Sequence, residues 1–155
     1  MSNIKDQVER LLVAYARCID NDELESWPEF FTEDADYRVI PRENFDAGFP
    51  ICVMSCIGRG MFKDRVVAHR TANIFPVHRS RHILSSPFIL SESGGLIKAE
   101  TSYVVLQTRN DGETKVFNAG VYVDEIVREG DELKFKIKHC VFDTNRIETL
   151  LVTPV

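Results

Sequence analysis

Apolar residues near the start of the chain recur at helical spacing: Val8, Leu11, Leu12, Tyr15, Ala16 and Ile19 fall at i, i+3, i+4, i+7, i+8 and i+11. That pattern predicts one amphipathic helix. Asn3 is placed to cap it, and Asp6 sits where the positive end of the helix dipole favours an anion. The polar run Asp20-Asn21-Asp22 ends it. A second short helix is predicted through Trp27, Phe30 and Phe31, with Pro28 in its first turn, where a missing N–H does no harm.

The period then changes. "TEDADYRVI" begins a strand ending near Pro41, an irregular stretch with Gly48 and Pro50 follows, and apolar "ICVMSCI" reads as core. From Met61 to Ala72 the pattern is helical again, with Phe62, Val66 and Val67 on one side. Beyond Pro76 the chain turns to β structure. Ile83, Leu84, Phe88, Ile89 and Leu90 read as one strand interrupted by Pro87, which suits an edge or a bulge, and Gly94-Gly95 is a turn.

The clearest β signal is a pair of long strands joined at Asn110-Asp111-Gly112, where Asp-Gly supplies the positive φ of a tight hairpin. "REGDE" makes the next turn. Leu133, Phe135, Ile137, His139 and Val141 then alternate with Lys134, Lys136, Lys138, Cys140 and Phe142, which predicts one buried face. Gly120, inside the strand from Thr114 to Val127, is the expected site of a bulge or bend. Helices first and antiparallel hairpins after predict an α+β fold in one domain, residues 1–155. Its strongly curved antiparallel sheet wraps over the N-terminal helices and can close into a cone around a pocket.

A net charge of −5 argues against nucleic acid as a partner. "MSNIKDQVER" lacks the apolar core of a signal peptide, and no apolar run is long enough to cross a bilayer, so a cytoplasmic chain with no membrane contact is expected. The charge is unevenly spread. Residues 1–36 hold ten acidic and three basic residues, whereas 59–82 hold Arg59, Lys63, Arg65, Arg70, Arg79 and Arg81 against Asp64 alone. These are either two solvated faces or surfaces that pack against a copy or partner of opposite charge.

Candidate chemistry is sparse. Cys18, Cys52, Cys56 and Cys140 form no CxxC pair, so no zinc ribbon or cluster-binding loop is written here, and Cys52 and Cys56 read as core thiols. His78 and His82, in "HRSRHIL", would share one face of a helix, but Arg79 and Arg81 flank a would-be ion with no carboxylate between the histidines. On a strand the two imidazoles would stand roughly 13 Å apart. No metal is expected in this chain. Arg79, Arg81 and His82 read better as hydrogen-bonding groups at a subunit contact or as supports of the core, and Arg81 suits a bidentate carboxylate. For acid/base work inside a cone the candidates are Asp36, Tyr122 and His139, with Tyr15, Tyr37, Tyr103 and Asp124 able to join them. A histidine in register with apolar Ile137 and Val141 is also a common core residue.

The helix with Tyr15 and Asp20, followed by "WPEFFTEDADYRV", resembles the entrance of the cone-like fold of nuclear transport factor 2, scytalone dehydratase and ketosteroid isomerase. "RHILSSP", "AGVYVDEI" and the spacing Gly120-x-Tyr122-x-Asp124 are similar to the small (β) subunits of Rieske-type aromatic-ring-hydroxylating dioxygenases. "PRENFDAGFP" with "MFKDRV" looks most like the group acting on aromatic acids such as salicylate, terephthalate and anthranilate.

The resemblance implies a non-catalytic structural subunit of an NADH- and O2-dependent oxygenase. Its partner would be a large (α) subunit, usually three of each as α3β3, served by reductase or ferredoxin electron donors. A Rieske [2Fe-2S] cluster and mononuclear Fe(II) would lie in the large subunit, with no cofactor in this chain. Two other classes stay open: a free-standing cone-fold enzyme of dehydratase or isomerase type, and a small-ligand-binding module.

Overall fold

The N-terminal stripe forms helix α1, Ile4–Asp20, in the computed structural model, which describes residues 2–71, 78–143 and 153–155. The side chain of Asn3 accepts from the Asp6 amide at 2.9 Å, as the cap reading requires. Val8, Leu12, Tyr15, Ala16, Cys18 and Ile19 are buried along one face. A 3-10 helix, Leu24–Phe30, follows. Its three-residue turn puts Leu24 and Trp27 on the same side, and both are fully buried. Pro28 lies late in this element rather than in its first turn, and Phe31 already belongs to the next strand.

Strand β1, Phe31–Pro41, runs into a short helix, α2, Arg42–Ala47, where the sequence suggested irregular chain. Gly48 closes α2 at φ 72°, the left-handed conformation that glycine adopts without strain. The apolar run that follows is only partly core. It pairs as strand β2, Met54–Ile57, so Met54 and Cys56 point inward while Ile51, Val53 and Ile57 are exposed. Helix α3, Arg59–Thr71, buries Phe62, Val66 and His69; Val67, one step round the helix, faces out. Ala72 and Pro76, which the sequence placed at a helix end and a turn, lie outside the described residues.

Five more strands complete the sheet: β3 (His78–Leu84), β4 (Phe88–Ser93), β5 (Leu96–Arg109), β6 (Thr114–Glu129) and β7 (Glu132–Phe142). The order is β2-β1-β7-β6-β5-β3, with β4 also paired to β5. The single strand expected from Ile83 to Leu90 is therefore two, because the chain breaks around Pro87, which has no amide to donate. The sheet is mixed rather than antiparallel throughout, since β1 joins β7 in parallel. No helix among the described residues is long and apolar enough to cross a membrane.

Among the described pairings several register shifts bend the strands, and none is at Gly120. Pairing of β5 with β6 passes from Val105↔Asn118 to Leu106↔Val116, leaving Phe117 extra. Pairing of β6 with β7 passes from Glu125↔Ile137 to Ile126↔Phe135, leaving Lys136 extra. Gly120 instead marks a close approach of two backbones: a Cβ there would stand 1.9 Å from the Val141 carbonyl oxygen. The bulge at Lys136 overturns the predicted alternation of the last strand. Leu133 and Phe135 face the core before it, and Lys138, Cys140 and Phe142 face the core after it.

Candidate functional site

The curved sheet and α1 enclose a cluster of polar aromatic residues around one ion pair. Tyr15 comes from α1, Tyr37 from β1, Tyr103 from β5, Tyr122 and Asp124 from β6, and Lys138 and Cys140 from β7; all are buried. Lys138 Nζ lies 3.2 Å from both carboxylate oxygens of Asp124, and neither side chain has any exposure. The same ammonium stands 3.5 Å from the centre of the Tyr122 ring, 4.2 Å from Phe135 and 4.7 Å from Tyr15. Ring faces are electron-rich, so they partly replace the water the cation has lost.

Burial pushes the Asp124 carboxyl up to about 6, with Lys138 holding it from going higher. Burial also lowers Lys138, and Asp124 opposes that shift. The Tyr122 ring stacks on Tyr103 at 4.3 Å, and the Tyr103 hydroxyl donates to Asn118 Oδ1 at 2.5 Å. Desolvation raises the Tyr15, Tyr37 and Tyr122 phenols well above the ordinary range, so all three stay neutral at physiological pH.

The three residues proposed for acid/base chemistry do not converge. Tyr122 is inside, whereas Asp36 and His139 sit on the outer face of β1 and β7. There Asp36 accepts from Arg38 at 2.9 and 3.0 Å and stands 3.5 Å from His139 Nε2. Burial lowers the His139 pKa despite Asp36, with Arg38 adding to the fall, which disfavours an imidazolium there. Strand alternation turns Asp36 away from Tyr37, and the shift at Lys136 turns His139 outward.

The arginine and histidine group divides in the same way across β3. Arg79 and Arg81 are on the exposed side beside exposed Ile83, and His82 points inward. His82 Nδ1 is 2.6 Å from Asp20 Oδ1, and its main-chain amide donates to Asp20 Oδ2 at 2.8 Å. The end of α1 is thus pinned to the sheet edge by one carboxylate. His78 and His82 pair with Arg109 and Val105 along an extended strand, so their spacing is that of a strand and not of one helical face.

Burial raises the Cys18 thiol to about 11 and Cys140 to about 12, which opposes the thiolate a metal needs. Among the described residues no group of three or more His, Cys, Asp and Glu side chains is arranged to hold a metal ion.

Sequence reasoning missed Lys138, which looked like one of three solvated lysines, and it missed Asp20 as the partner of His82. Apolar Cys140 and Phe142, in phase with Lys138, were the available sign that its face turns inward.

The fold and its core place the chain in a known class: residues 2–139 match the family model described as SnoaL-like domain, and the chain belongs to that family. Nearer relatives narrow the class. The chain is 46% identical over 141 residues to the anthranilate 1,2-dioxygenase small subunit of Burkholderia cepacia, covering 91% of this chain and 88% of the relative. It is 36% identical over 149 residues to a terephthalate 1,2-dioxygenase terminal oxygenase β subunit of Comamonas sp., covering 96% and 97%. A solved structure from Novosphingobium aromaticivorans, described as the β subunit of an aromatic-ring-hydroxylating dioxygenase, superposes with a TM-score of 0.89 at 46% identity, over 97% of this chain and 96% of that one. Within the SnoaL-like class, the chain belongs with the small subunits of aromatic-ring-hydroxylating dioxygenases.

Proposed function

We propose that this chain is the non-catalytic small subunit of the oxygenase component of a ring-hydroxylating dioxygenase whose substrate is an aromatic acid. The observation that carries this reading is the 46% identity, over 91% of the chain, to an anthranilate dioxygenase small subunit. The packed interior supports it: rings of Tyr15, Trp27, Phe31, Phe62 and Phe135 lie 4.3 to 6.1 Å apart in the core. Anthranilate, terephthalate and salicylate are the substrates to try first.

The partner in this reading is a large subunit, assembled as α3β3 in the cytoplasm, that carries the Rieske [2Fe-2S] cluster and the mononuclear Fe(II). Reductase or ferredoxin would deliver electrons to it. This chain's own part is to hold the large subunits together, with exposed Arg79 and Arg81 among its contact residues. Co-expression with a Rieske large subunit from the same genome tests the assignment. The two chains should co-purify in equal amounts as an iron protein that hydroxylates an aromatic acid, and the small chain alone should have no turnover.

A further inference from the structure

Residues 153–155 reach the aromatic interior, and their main chain is recognised there by side chains. Val155 is 1% exposed. Its main-chain oxygen accepts from the Tyr15 hydroxyl at 2.6 Å and the Tyr37 hydroxyl at 3.1 Å, and its amide donates back to Tyr37 at 3.0 Å. Cys140 Sγ is 3.7 Å from the same oxygen. Pro154 is buried beside it, and Thr153 Oγ1 lies 3.0 Å from His69 Nε2 on α3. Four elements, α1, β1, α3 and β7, thereby converge on three residues.

Buried main chain must have its polar groups paired, and a strand or helix usually does this through the backbone. Here both the N–H and the oxygen of Val155 are read by tyrosine hydroxyls, as a bound peptide would be. The phenols are kept neutral by burial, so they can donate at any physiological pH. A further hydroxyl, that of Tyr122, is fully buried in the same aromatic cluster and has no hydrogen-bond partner among the described residues.

We propose that the interior of the cone is a binding site for a short apolar peptide segment, occupied in cis by Thr153–Val155. Its ligand class is a main chain offering one N–H and one oxygen next to a branched aliphatic side chain. A charged side chain at position 155 is disfavoured, because burial would strip it of water. This site goes beyond the subunit role and does not depend on it.

The test uses the full chain. In the wild type the Val155 amide should exchange with deuterium at least about 1,000-fold slower than in an unstructured peptide, and Tyr37→Phe should speed that exchange about tenfold. Val155→Asp should expel Thr153–Val155 and open the site, so that acetyl-Thr-Pro-Val-amide binds the variant by calorimetry and acetyl-Thr-Pro-Glu-amide does not. Wild type, already occupied, should bind neither. Exchange of the wild-type Val155 amide at the unstructured rate would overturn the proposal, as would a folded Val155→Asp chain that ignores the valine peptide. If Val155→Asp does not fold, slow wild-type exchange accelerated by Tyr37→Phe supports the site, and slow exchange indifferent to Tyr37 refutes it.

Discussion

Lys138 and Asp124 face each other across β6 and β7, 3.2 Å apart and wholly out of water, at the centre of an aromatic cage. Charges buried in this way are held by one another, and removing one strands the other. Lys138→Met or Asp124→Leu alone should cost about 3–5 kcal/mol in urea unfolding, less whatever the orphan recovers by becoming neutral. The double change should restore most of that loss, since an apolar pair of similar size needs no desolvation. A double variant as unstable as the sum of the two singles would show that the pair is not the coupling unit.

The same carboxylate predicts a pH effect of definite sign. Asp124 titrates at about 6 in the folded chain against an ordinary 3.8, so between those values the folded state holds a proton that the unfolded state has lost. Its contribution to stability is fully present below about 4 and is lost as pH rises through 6. The stability of wild type relative to Asp124→Asn should therefore fall between pH 4 and pH 7. Lys138 is the charged group facing Asp124; burial lowers its pKa and Asp124 opposes that shift. A difference that grows with pH would contradict the assignment.

Glycine has different work at two positions. At Gly120 an added methyl would meet the Val141 carbonyl oxygen at 1.9 Å, so Gly120→Ala should force β6 from β7 and lower the melting temperature by more than about 10 °C, or leave no folded chain. At Gly60, in the first turn of α3, nothing stands within 4 Å, and Gly60→Ala should add less than about 1 kcal/mol through helix propensity, with no loss of stability. Thermal unfolding of the two variants checks both.

The split of β3 into an outer and an inner side makes Arg81 and His82 separable. Arg81→Glu, on the exposed side, should leave the circular dichroism and melting temperature of the isolated chain unchanged. It should release the chain from its large subunit on gel filtration. His82→Ala removes the side-chain partner of a half-buried Asp20 and should destabilise the isolated chain by about 1–3 kcal/mol. Normal assembly of Arg81→Glu in high salt would make the arginines a merely solvated face.

Much of this architecture was legible in the pattern of residues. The stripe from Val8 to Ile19, the Asp111-Gly112 turn and the order of helices before hairpins led to the cone, because each is a local signal that tertiary packing reinforced. What escaped was the phase of β7. A bulge depends on pairing with a neighbouring strand, and nothing local at Lys136 announces that one residue will be skipped. That skip decided the candidate site, placing Lys138 at the centre and His139 outside. The parallel joining of β1 to β7 was hidden for the same reason, since it links segments just over a hundred residues apart.

The central claim is that this chain works as one half of an oxygenase, and one co-purification tests it most directly. The tagged chain, expressed with a Rieske large subunit of the anthranilate or terephthalate type from the same genome, is passed over gel filtration with iron and subunit mass read together. The account predicts one complex with equal numbers of the two chains, all of its iron in the large subunit, and hydroxylation of an aromatic acid only by the complex. A small chain that elutes apart from the large subunit, or that turns over an aromatic acid alone, would contradict it.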